Sequence, residues 1–125
     1  MSNYIDGFVF PISRVRLNEY KCLAEAAAKI WKEHGALDYC EFVGDDMELA
    51  GTRSFTDALK ATEDETIVFG WVVFDSRETR DLVNQRVAAD PRMADLIEVS
   101  NSGFNAERMA YGGFKPLVQT STPNA

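Results

Sequence analysis

Thr-Ile-Val-Phe-Gly-Trp-Val-Val-Phe-Asp, residues 66–75, is the stretch that decides the fold. Its β-branched and aromatic residues predict a strand. Successive side chains point to opposite faces of a strand, and here both faces are apolar. The two sets are Ile67, Phe69, Trp71 and Val73 on one face, and Val68, Val72 and Phe74 on the other. A strand with one face in water alternates apolar with polar residues, so this one is predicted to be central and covered on both faces.

Secondary-structure signals on either side of this strand give the order β-α-β, a connection, then β-α-β. The predicted strands cover residues 3–11, 36–44, 66–75 and 108–118, and the helices lie at 13–33, 54–60 and 76–90, with a short helix after Asp90-Pro91. Ser13 and Ser76 are expected N-caps, and Gly35 ends the first long helix. This order predicts a ferredoxin-like α+β fold, a split β-α-β-β-α-β unit with an antiparallel four-stranded sheet and helices on one face. Residues 1–118 are expected to form one domain, with 119–125 a disordered polar tail.

The second sheet face needs a cover that the predicted helices do not supply. The first strand is also apolar on both sides, with Phe8 and Phe10 opposite Ile5 and Val9. Two long helices cover only one face, so we expect the other to pair with the same face of a second subunit. The alternative is a monomer whose 45–65 connection folds across the sheet. That long, acidic connection is expected to be mobile, and to act as a lid if it borders a pocket.

Composition restricts the classes of function. At 125 residues, 46% hydrophobic, the chain suits one globular domain. Its net charge of −7 opposes binding to nucleic acid or to anionic membrane surfaces. Residues 1–6 show no signal-peptide pattern, and the longest apolar run, residues 67–74, is too short to span a bilayer. We therefore expect a cytoplasmic protein that binds neither nucleic acid nor membrane.

The cysteines and the histidine give no sign of a metal or cofactor. Cys22 and Cys40 have no CxxC spacing, and His34 is the single histidine of the sequence. Zinc ligands come in closely spaced pairs, so we expect no metal site and no cofactor. The two thiols are interpreted as reduced, small apolar side chains, with redox chemistry as the less favoured alternative.

His34 and Asp6 are the candidate catalytic residues. His34 follows Trp31 by one turn on the apolar stripe of the first helix, where a histidine can act as acid or base in a pocket. Its alternative role is structural, capping the helix C-terminus or bonding within the core. Asp6 alternates with Tyr4 and Phe8 and is expected on the apolar face assigned to the dimer, where carboxylates are often functional. The alternative is a carboxylate that is solvated or paired with an arginine.

Aromatic side chains on the predicted elements supply a candidate ligand site. The residues proposed to line it are Trp31, Tyr39, Trp71 and Tyr111. Aromatic walls with a few polar groups are the usual composition of a small-molecule pocket. The alternative is that these side chains are core packing, which is the commoner fate of aromatic residues on strands.

Several short segments, taken in order, resemble the YbaA-like family, a family of unknown function. The resemblance runs from about Tyr4 to Val118 and is carried by Asp6-Gly7-Phe8-Val9, Glu33-His34-Gly35-Ala36-Leu37, Gly44-Asp45-Asp46, Asp64-Glu65-Thr66, Asp75-Ser76-Arg77, Asp90-Pro91-Arg92 and Arg108-Met109-Ala110-Tyr111-Gly112-Gly113-Phe114. It implies the dimeric α/β-barrel superfamily, in which two ferredoxin-like sheets close around a central space. That superfamily holds cofactor-independent monooxygenases, isomerases, haem enzymes and simple binding proteins, so the fold does not set the chemistry.

Two functional hypotheses follow. The first is a cofactor-independent enzyme that acts on a small apolar or aromatic compound. The second is a non-catalytic dimeric module that binds a small molecule or another protein. An enzyme needs ionisable groups inside a concave site, whereas a binding module needs only the apolar cavity.

Overall fold

A computed structural model describes residues 3–99 and 102–120. The strands are β1 (Tyr4–Ser13), β2 (Asp38–Val43), β3 (Glu65–Phe74) and β4 (Ala110–Phe114). The helices are α1 (Leu17–His34), α2 (Phe55–Ala58), α3 (Arg77–Ala89) and α4 (Pro91–Val99), with short 3-10 turns at Arg14–Arg16 and Ala106–Arg108. The predicted tail begins at Gln119 and Thr120, which have no regular secondary structure, and its remainder, 121–125, lies outside the described residues, as do residues 1 and 2.

The four strands form one antiparallel sheet in the order β2-β3-β1-β4. β1 and β3 pair along their whole lengths, from Tyr4 opposite Phe74 to Ser13 opposite Glu65. β2 pairs with β3 and β4 pairs with β1, so β2 and β4 are the edge strands. The split β-α-β-β-α-β prediction is confirmed, with the two most apolar strands at the centre.

The first strand is longer than predicted and changes how the first helix begins. β1 continues through Pro11 to Ser13. Since β4 pairs with β1 only as far as Val9, Pro11 lies where one edge of the strand is free and a missing N–H is tolerated. The expected capping role of Ser13 is wrong: its side chain makes no cap hydrogen bond, and the Arg14–Arg16 turn leads into α1 instead. Ser76 does cap α3, accepting a hydrogen bond from the Thr79 backbone N–H.

The core lies between the sheet and the helices. The largest side chains with almost no exposed surface are Phe10, Phe74, Ile12 and Val83. Tyr20, Ala27 and Ile30 of α1 are buried against the sheet. None of the helices among residues 3–99 and 102–120 is long and apolar enough to cross a membrane.

The opposite face of the sheet carries no layer of helices and remains apolar. We call it the open face. Paired residues share a face, and its larger side chains are Ile5, Val9, Phe42, Ile67, Phe69, Trp71, Val73 and Phe114. Phe42 is 59% exposed and Phe114 is 56% exposed. The connection after β2 covers one end only, where the Phe55 ring packs against Phe69 at 5.7 Å between centroids. Within the described chain, the open face is therefore only partly covered.

Candidate functional site

A cavity of about 280 Å³ lies between the sheet and the helix layer. We call it the aromatic cavity. All four strands, three helices and the segment before β4 contribute to its wall, and its lining residues are Asp6, Phe8, Phe10, Tyr20, Leu23, Ala24, Ala27, Trp31, Tyr39, Val72, Asn84, Met93, Ile97, Phe104, Ala106, Met109 and Tyr111. The wall is dominated by aromatic and aliphatic side chains, with few polar groups, which is the usual composition of a small-molecule site.

Small residues keep the space open. Ala24 and Ala27 lie on the cavity side of α1, where larger side chains would fill it. On β3, Gly70 sits directly beneath the Phe8 ring: an added Cβ would come within 2.6 Å of Phe8 Cζ and 2.7 Å of the Cys40 carbonyl oxygen. Because Gly70 has no side chain, the Phe8 ring lies against the sheet and not across the cavity.

A hydrogen-bond chain crosses from α1 through α3 to β1 at the cavity wall. Trp31 Nε1 donates to Asn84 Oδ1 at 3.1 Å, and Asn84 Nδ2 donates to Asp6 Oδ2 at 3.0 Å. Asp6 is only 3% exposed. The single amide of Asn84 therefore satisfies both a buried carboxylate oxygen and an indole N–H, as buried polar groups require.

Arg80 carries the positive charge that faces Asp6. Its NH1 atom lies 3.4 Å from Asp6 Oδ1 and donates to the Tyr111 hydroxyl at 3.1 Å, while NH2 donates to the Tyr4 hydroxyl at 3.1 Å. Burial disfavours the charged guanidinium, but Asp6 and the two tyrosines outweigh it and raise the pKa of Arg80. Burial also raises the pKa of Tyr111, and the neighbouring Asp6 adds to that rise. Both effects keep the Arg80 side chain cationic and the Tyr111 phenol protonated.

A second polar cluster lies at the β2 side of the cavity. The hydroxyls of Tyr20 and Tyr39 each donate to a different carboxylate oxygen of Glu41, with Tyr39 Oη at 2.7 Å. Burial, and then the charge of Glu41, raise the pKa of both tyrosines well above the ordinary phenol range. Burial raises the pKa of Glu41 too, against the lowering effect of the two hydrogen bonds. Both phenols therefore stay protonated and keep their hydroxyl groups directed at Glu41.

The structure brings together most of the predicted ligand-binding residues, and separates one. Trp31, Tyr39 and Tyr111 all line the aromatic cavity with Asp6. Trp71 does not: it lies on the open face, stacked on Phe42 with 5.4 Å between ring centroids. Grouping Trp71 with the others was wrong because it alternates with Val72, and Val72 is the residue that faces the cavity.

Asp6 points to the opposite side of the sheet from the one predicted. It faces α3 and the aromatic cavity and not the open face, because Tyr4, Asp6, Phe8 and Phe10 form the set that the helices cover. The alternative interpretation, a carboxylate paired with an arginine, describes its contact with Arg80. The candidate carboxylate therefore lies at the wall of the aromatic cavity.

His34 is not among the residues that line the aromatic cavity. Its Nε2 lies 2.8 Å from Asp90 Oδ2, and its side chain is 26% exposed. Arg92 and His34 bond the Asp90 carboxylate and hold its pKa well below the usual range. The structure does not place His34 at the aromatic cavity, since the residue lies at the last turn of α1 and contacts the residue just before α4. The contact is the structural alternative, a link between two helix ends.

Two cavity-side residues of α3 were missed by the sequence interpretation. Arg80 and Asn84 stand one turn apart, and with Val83 and Val87 they complete an i, i+3, i+4, i+7 pattern. A charged residue and an amide on the buried stripe of a helix are a signal that polar groups face a partner in the interior.

Other features expected near a site lie elsewhere. The 45–65 connection contributes no residue to the aromatic cavity; it borders a separate groove on the open face with Phe42, Ile67 and Phe69. The lid expected of it therefore does not apply to this cavity. Among the residues described, no group of three or more His, Cys, Asp or Glu side chains is placed to hold a metal ion.

The sheet order and the one-sided helix layer define a ferredoxin-like α+β protein with a cavity between its layers. Solved structures with this fold include SnoaB, a cofactor-independent oxygenase from Streptomyces nogalater, with a TM-score of 0.58 and 10% identity over 99% of this chain and 100% of that one. A dimeric ferredoxin-like protein from an uncultured marine organism has a TM-score of 0.51 and 10% identity, covering 98% of this chain and 100% of that one. At such identities the likeness shows the fold alone.

The sequence itself places the chain in a family. It belongs to the family described as "Protein of unknown function (DUF1428)", whose model matches residues 3–105. It is also 37% identical over 115 residues to the "Uncharacterized protein YbaA" of Escherichia coli (strain K12), covering 92% of this chain and 97% of that protein. The resemblance to the YbaA-like family is confirmed.

Proposed function

We propose that the aromatic cavity binds a small aromatic compound and that the protein acts on it without a cofactor. The observation that carries this proposal is Asp6, a carboxylate with 3% exposure inside a wall of aromatic side chains. Buried ionisable groups in apolar clefts concentrate at functional sites. At about 280 Å³ the cavity is near the lower end of the usual range for ligand pockets. That size suits a compound of one or two rings, with no room left for a large organic cofactor.

The same fold supports cofactor-independent chemistry in at least one solved neighbour. SnoaB is described as a cofactor-independent oxygenase and shares the ferredoxin-like architecture over nearly the whole chain. A shared fold does not establish a shared activity, so this likeness supports the proposal only by analogy. The competing function is a binding module, which is favoured by the fact that Asn84 and Arg80 already satisfy much of the polar wall.

The two tryptophans give a direct test of binding. Trp31 lines the aromatic cavity and Trp71 lies on the open face, so the Trp71→Phe variant leaves one reporter at the site. Titration with 2-naphthol is expected to quench the remaining fluorescence with saturation. A Trp71→Phe, Ala24→Leu variant, in which the added side chain fills the cavity, is the control and should lose the saturable signal. Linear quenching in both variants would remove the binding proposal.

Turnover distinguishes an enzyme from a binding module. The chain would be incubated under air with a panel of mono- and dihydroxynaphthalenes, with the loss of each compound followed by mass spectrometry and oxygen uptake. Conversion above the protein-free background, abolished by Ala24→Leu, is expected for the enzyme. Saturable binding without conversion of any member would favour the binding module.

We also propose that the open face pairs with the same face of a second copy. Phe42, Phe69 and Phe114 of this face are 59%, 41% and 56% exposed. Large apolar side chains exposed together on one face often mark an interaction surface. A fold neighbour is described as dimeric, which supports the proposal by analogy. A stable pairing would bury about 1,600 Å² or more in total. The same proposal treats residues 1–118 as one domain in the cytoplasm, a reducing compartment in which the exposed Cys22 thiol would persist.

Light scattering after size-exclusion chromatography tests the dimer. Phe42→Asp places an unpaired charge in the proposed interface and should shift the mass from two chains to one. Leu82→Asp is the matched control, because Leu82 is 45% exposed on α3, away from the open face. A single-chain mass for the unmodified protein at micromolar concentration would contradict the proposal.

A further inference from the structure

The two carboxylate oxygens of Asp6 are not equivalent. Oδ2 accepts the hydrogen bond from Asn84 Nδ2. Oδ1 is buried and makes no hydrogen bond to any part of the chain that the structure describes. Its ionic contact is Arg80 NH1, at 3.4 Å, beyond the length of a strong charge-assisted hydrogen bond. A buried acceptor left in this state costs about 1–3 kcal/mol. Asp6, a residue of the cavity wall, therefore holds one buried oxygen that makes an ionic contact but no hydrogen bond.

The neighbouring groups leave Oδ1 unused because each is committed elsewhere. Asn84 Oδ1 accepts from the Trp31 indole, so the amide must turn its NH₂ group to Asp6, where it reaches only Oδ2. The Arg80 side chain donates to the hydroxyls of Tyr4 and Tyr111. Asp6 raises the pKa of Tyr111 both as a hydrogen-bonding neighbour and by its charge, although Oδ1 has no partner in good hydrogen-bond geometry. Among the described residues, no side chain donates a hydrogen bond of good geometry to Asp6 Oδ1.

A ligand anion does not suit this position. The guanidinium of Arg80 faces Asp6 and two phenols, and its Nε lies 3.0 Å from Asp81 Oδ1. NH1 and NH2 are therefore directed at protein atoms, and Nε is buried without a hydrogen bond. An incoming carboxylate would meet the negative charge of Asp6 in a site shielded from water, where like charges repel strongly.

We propose that Asp6 Oδ1 accepts a hydrogen bond from the ligand, so that the cavity selects aromatic compounds carrying a neutral hydroxyl or N–H group. This inference rests on the proposed binding function and adds the chemical class of the ligand. The bond completes the polar wall that runs from Trp31 through Asn84 to Asp6. A compound of the same shape without a donor fills the aromatic space but leaves Oδ1 unpaired.

Two probes of matched shape test the class. They are 2-naphthol and 2-methylnaphthalene, which differ only by exchange of a hydroxyl for a methyl group. Affinities would be measured by quenching of Trp31 in the Trp71→Phe background at about pH 7, where a phenol keeps its proton. The expected result is about tenfold tighter binding of 2-naphthol, since a hydrogen bond to a charged acceptor is worth at least that ratio. If the cavity wall offered no free acceptor, 2-methylnaphthalene would bind more tightly than 2-naphthol, because the naphthol hydroxyl would be buried without a partner.

The Asp6→Asn variant links the preference to this residue. Because Trp31 holds the NH₂ group of Asn84 toward residue 6, the new amide must turn its oxygen to Asn84 and its own NH₂ group to the former place of Oδ1. The charged acceptor is replaced by a donor, and the advantage of 2-naphthol should disappear. Asp64→Asn, the same change at an exposed position between α2 and β3, is the control and should retain it. Circular dichroism confirms that each variant is folded.

The outcomes separate the two proposals. A preference for 2-naphthol that is lost in Asp6→Asn and kept in Asp64→Asn supports the donor class. Equal or tighter binding of 2-methylnaphthalene by the Trp71→Phe chain overturns the donor class and leaves the binding function standing. A preference that survives in Asp6→Asn also overturns it, since the donor is then recognised elsewhere. Failure of both probes to quench Trp31 overturns both proposals. If Asp6→Asn does not fold, the order of the two probes decides alone.

Discussion

Asn84 Nδ2 on α3 lies 3.0 Å from Asp6 Oδ2 on β1 and donates the bond that ties the helix layer to the central strand at the cavity wall. The same amide accepts from Trp31 of α1, so one side chain fixes two neighbours that were singled out from the sequence. These two hydrogen bonds fix the orientation of the Asn84 amide at the cavity wall.

Replacing Asn84 by leucine tests how much this link stabilises the fold. Leucine has a similar volume but leaves Asp6 Oδ2 and Trp31 Nε1 without a partner. We expect the free energy of unfolding to fall by about 2–4 kcal/mol, because each buried polar group left unpaired costs about 1–3 kcal/mol. Urea unfolding followed by far-UV circular dichroism measures it. Gln85→Leu, on the exposed side of the same helix, is the control and should change stability by less than about 0.5 kcal/mol.

Glu41 should make stability depend on pH. Burial raises its pKa in the folded chain above the ordinary value. Below the ordinary carboxyl pKa, the side chain is protonated in both states. As the pH rises through the interval up to the raised value, the unfolded chain releases the proton first, so this group's contribution to stability is lost.

Glu41→Gln removes that titration. The stability of this variant relative to the unmodified chain should therefore increase from about pH 4 to about pH 7. Urea unfolding at several pH values gives the difference at each. Glu48→Gln, at an exposed position in the 45–65 connection, supplies the reference slope. A Glu41→Gln difference that is flat across this interval, or that falls with pH, would be evidence against a raised pKa.

The fold was predictable because its main signals are strong and local. The ten residues from Thr66 to Asp75 carry an apolar pattern that only a central strand explains, and the Ser76 cap marks the helix after it. The boundaries were less predictable. β1 extends past Pro11 because β3 pairs with it as far as Ser13. Local sequence signals do not contain this information, since strand pairing depends on the tertiary structure.

The site was only partly predictable, for reasons that differ between residues. Asp6 was assigned to the wrong face because both faces of β1 are apolar, so alternation alone does not say which one the helices cover. His34 was expected in a pocket because it follows Trp31 by one turn, but its partner Asp90 is set by where α4 docks. Arg80 and Asn84 could have been found, since they interrupt the apolar stripe of α3 with polar groups.

The contact between His34 and Asp90 should hold α4 in place beside the cavity. α4 contributes Met93 and Ile97 to the cavity wall and begins directly after Asp90. His34→Ala should speed amide hydrogen exchange in α4 while leaving β3 unchanged, because local opening follows the loss of local contacts. Mass spectrometry of peptic fragments measures both. Lys21→Ala, at an exposed position near the start of α1, is the control. Equal exchange in α4 for both variants would show that the contact does not hold the helix.

Gly70 should be the least replaceable glycine of the sheet. A Cβ at this position would lie 2.7 Å from the carbonyl oxygen of Cys40 on the neighbouring strand, as well as 2.6 Å from the Phe8 ring. The ring can rotate away, but the paired backbone of β2 cannot yield without breaking its register. Gly70→Ala is therefore expected to destabilise the fold by about 1–3 kcal/mol, the usual cost of forcing extra volume into a packed interior.

The matched control is Gly112→Ala on β4, where the nearest atom to an added Cβ is a side-chain carbon of Phe114 at 3.3 Å. That ring is half exposed and free to move, so the control should cost clearly less. Urea midpoints of both variants give the comparison. Where Gly70→Ala remains folded, the Phe8 ring must swing toward the aromatic cavity, and the affinity for 2-naphthol should fall with it. Equal stability of the two variants, with unchanged binding, would show that Gly70 neither protects the strand pairing nor keeps the cavity open.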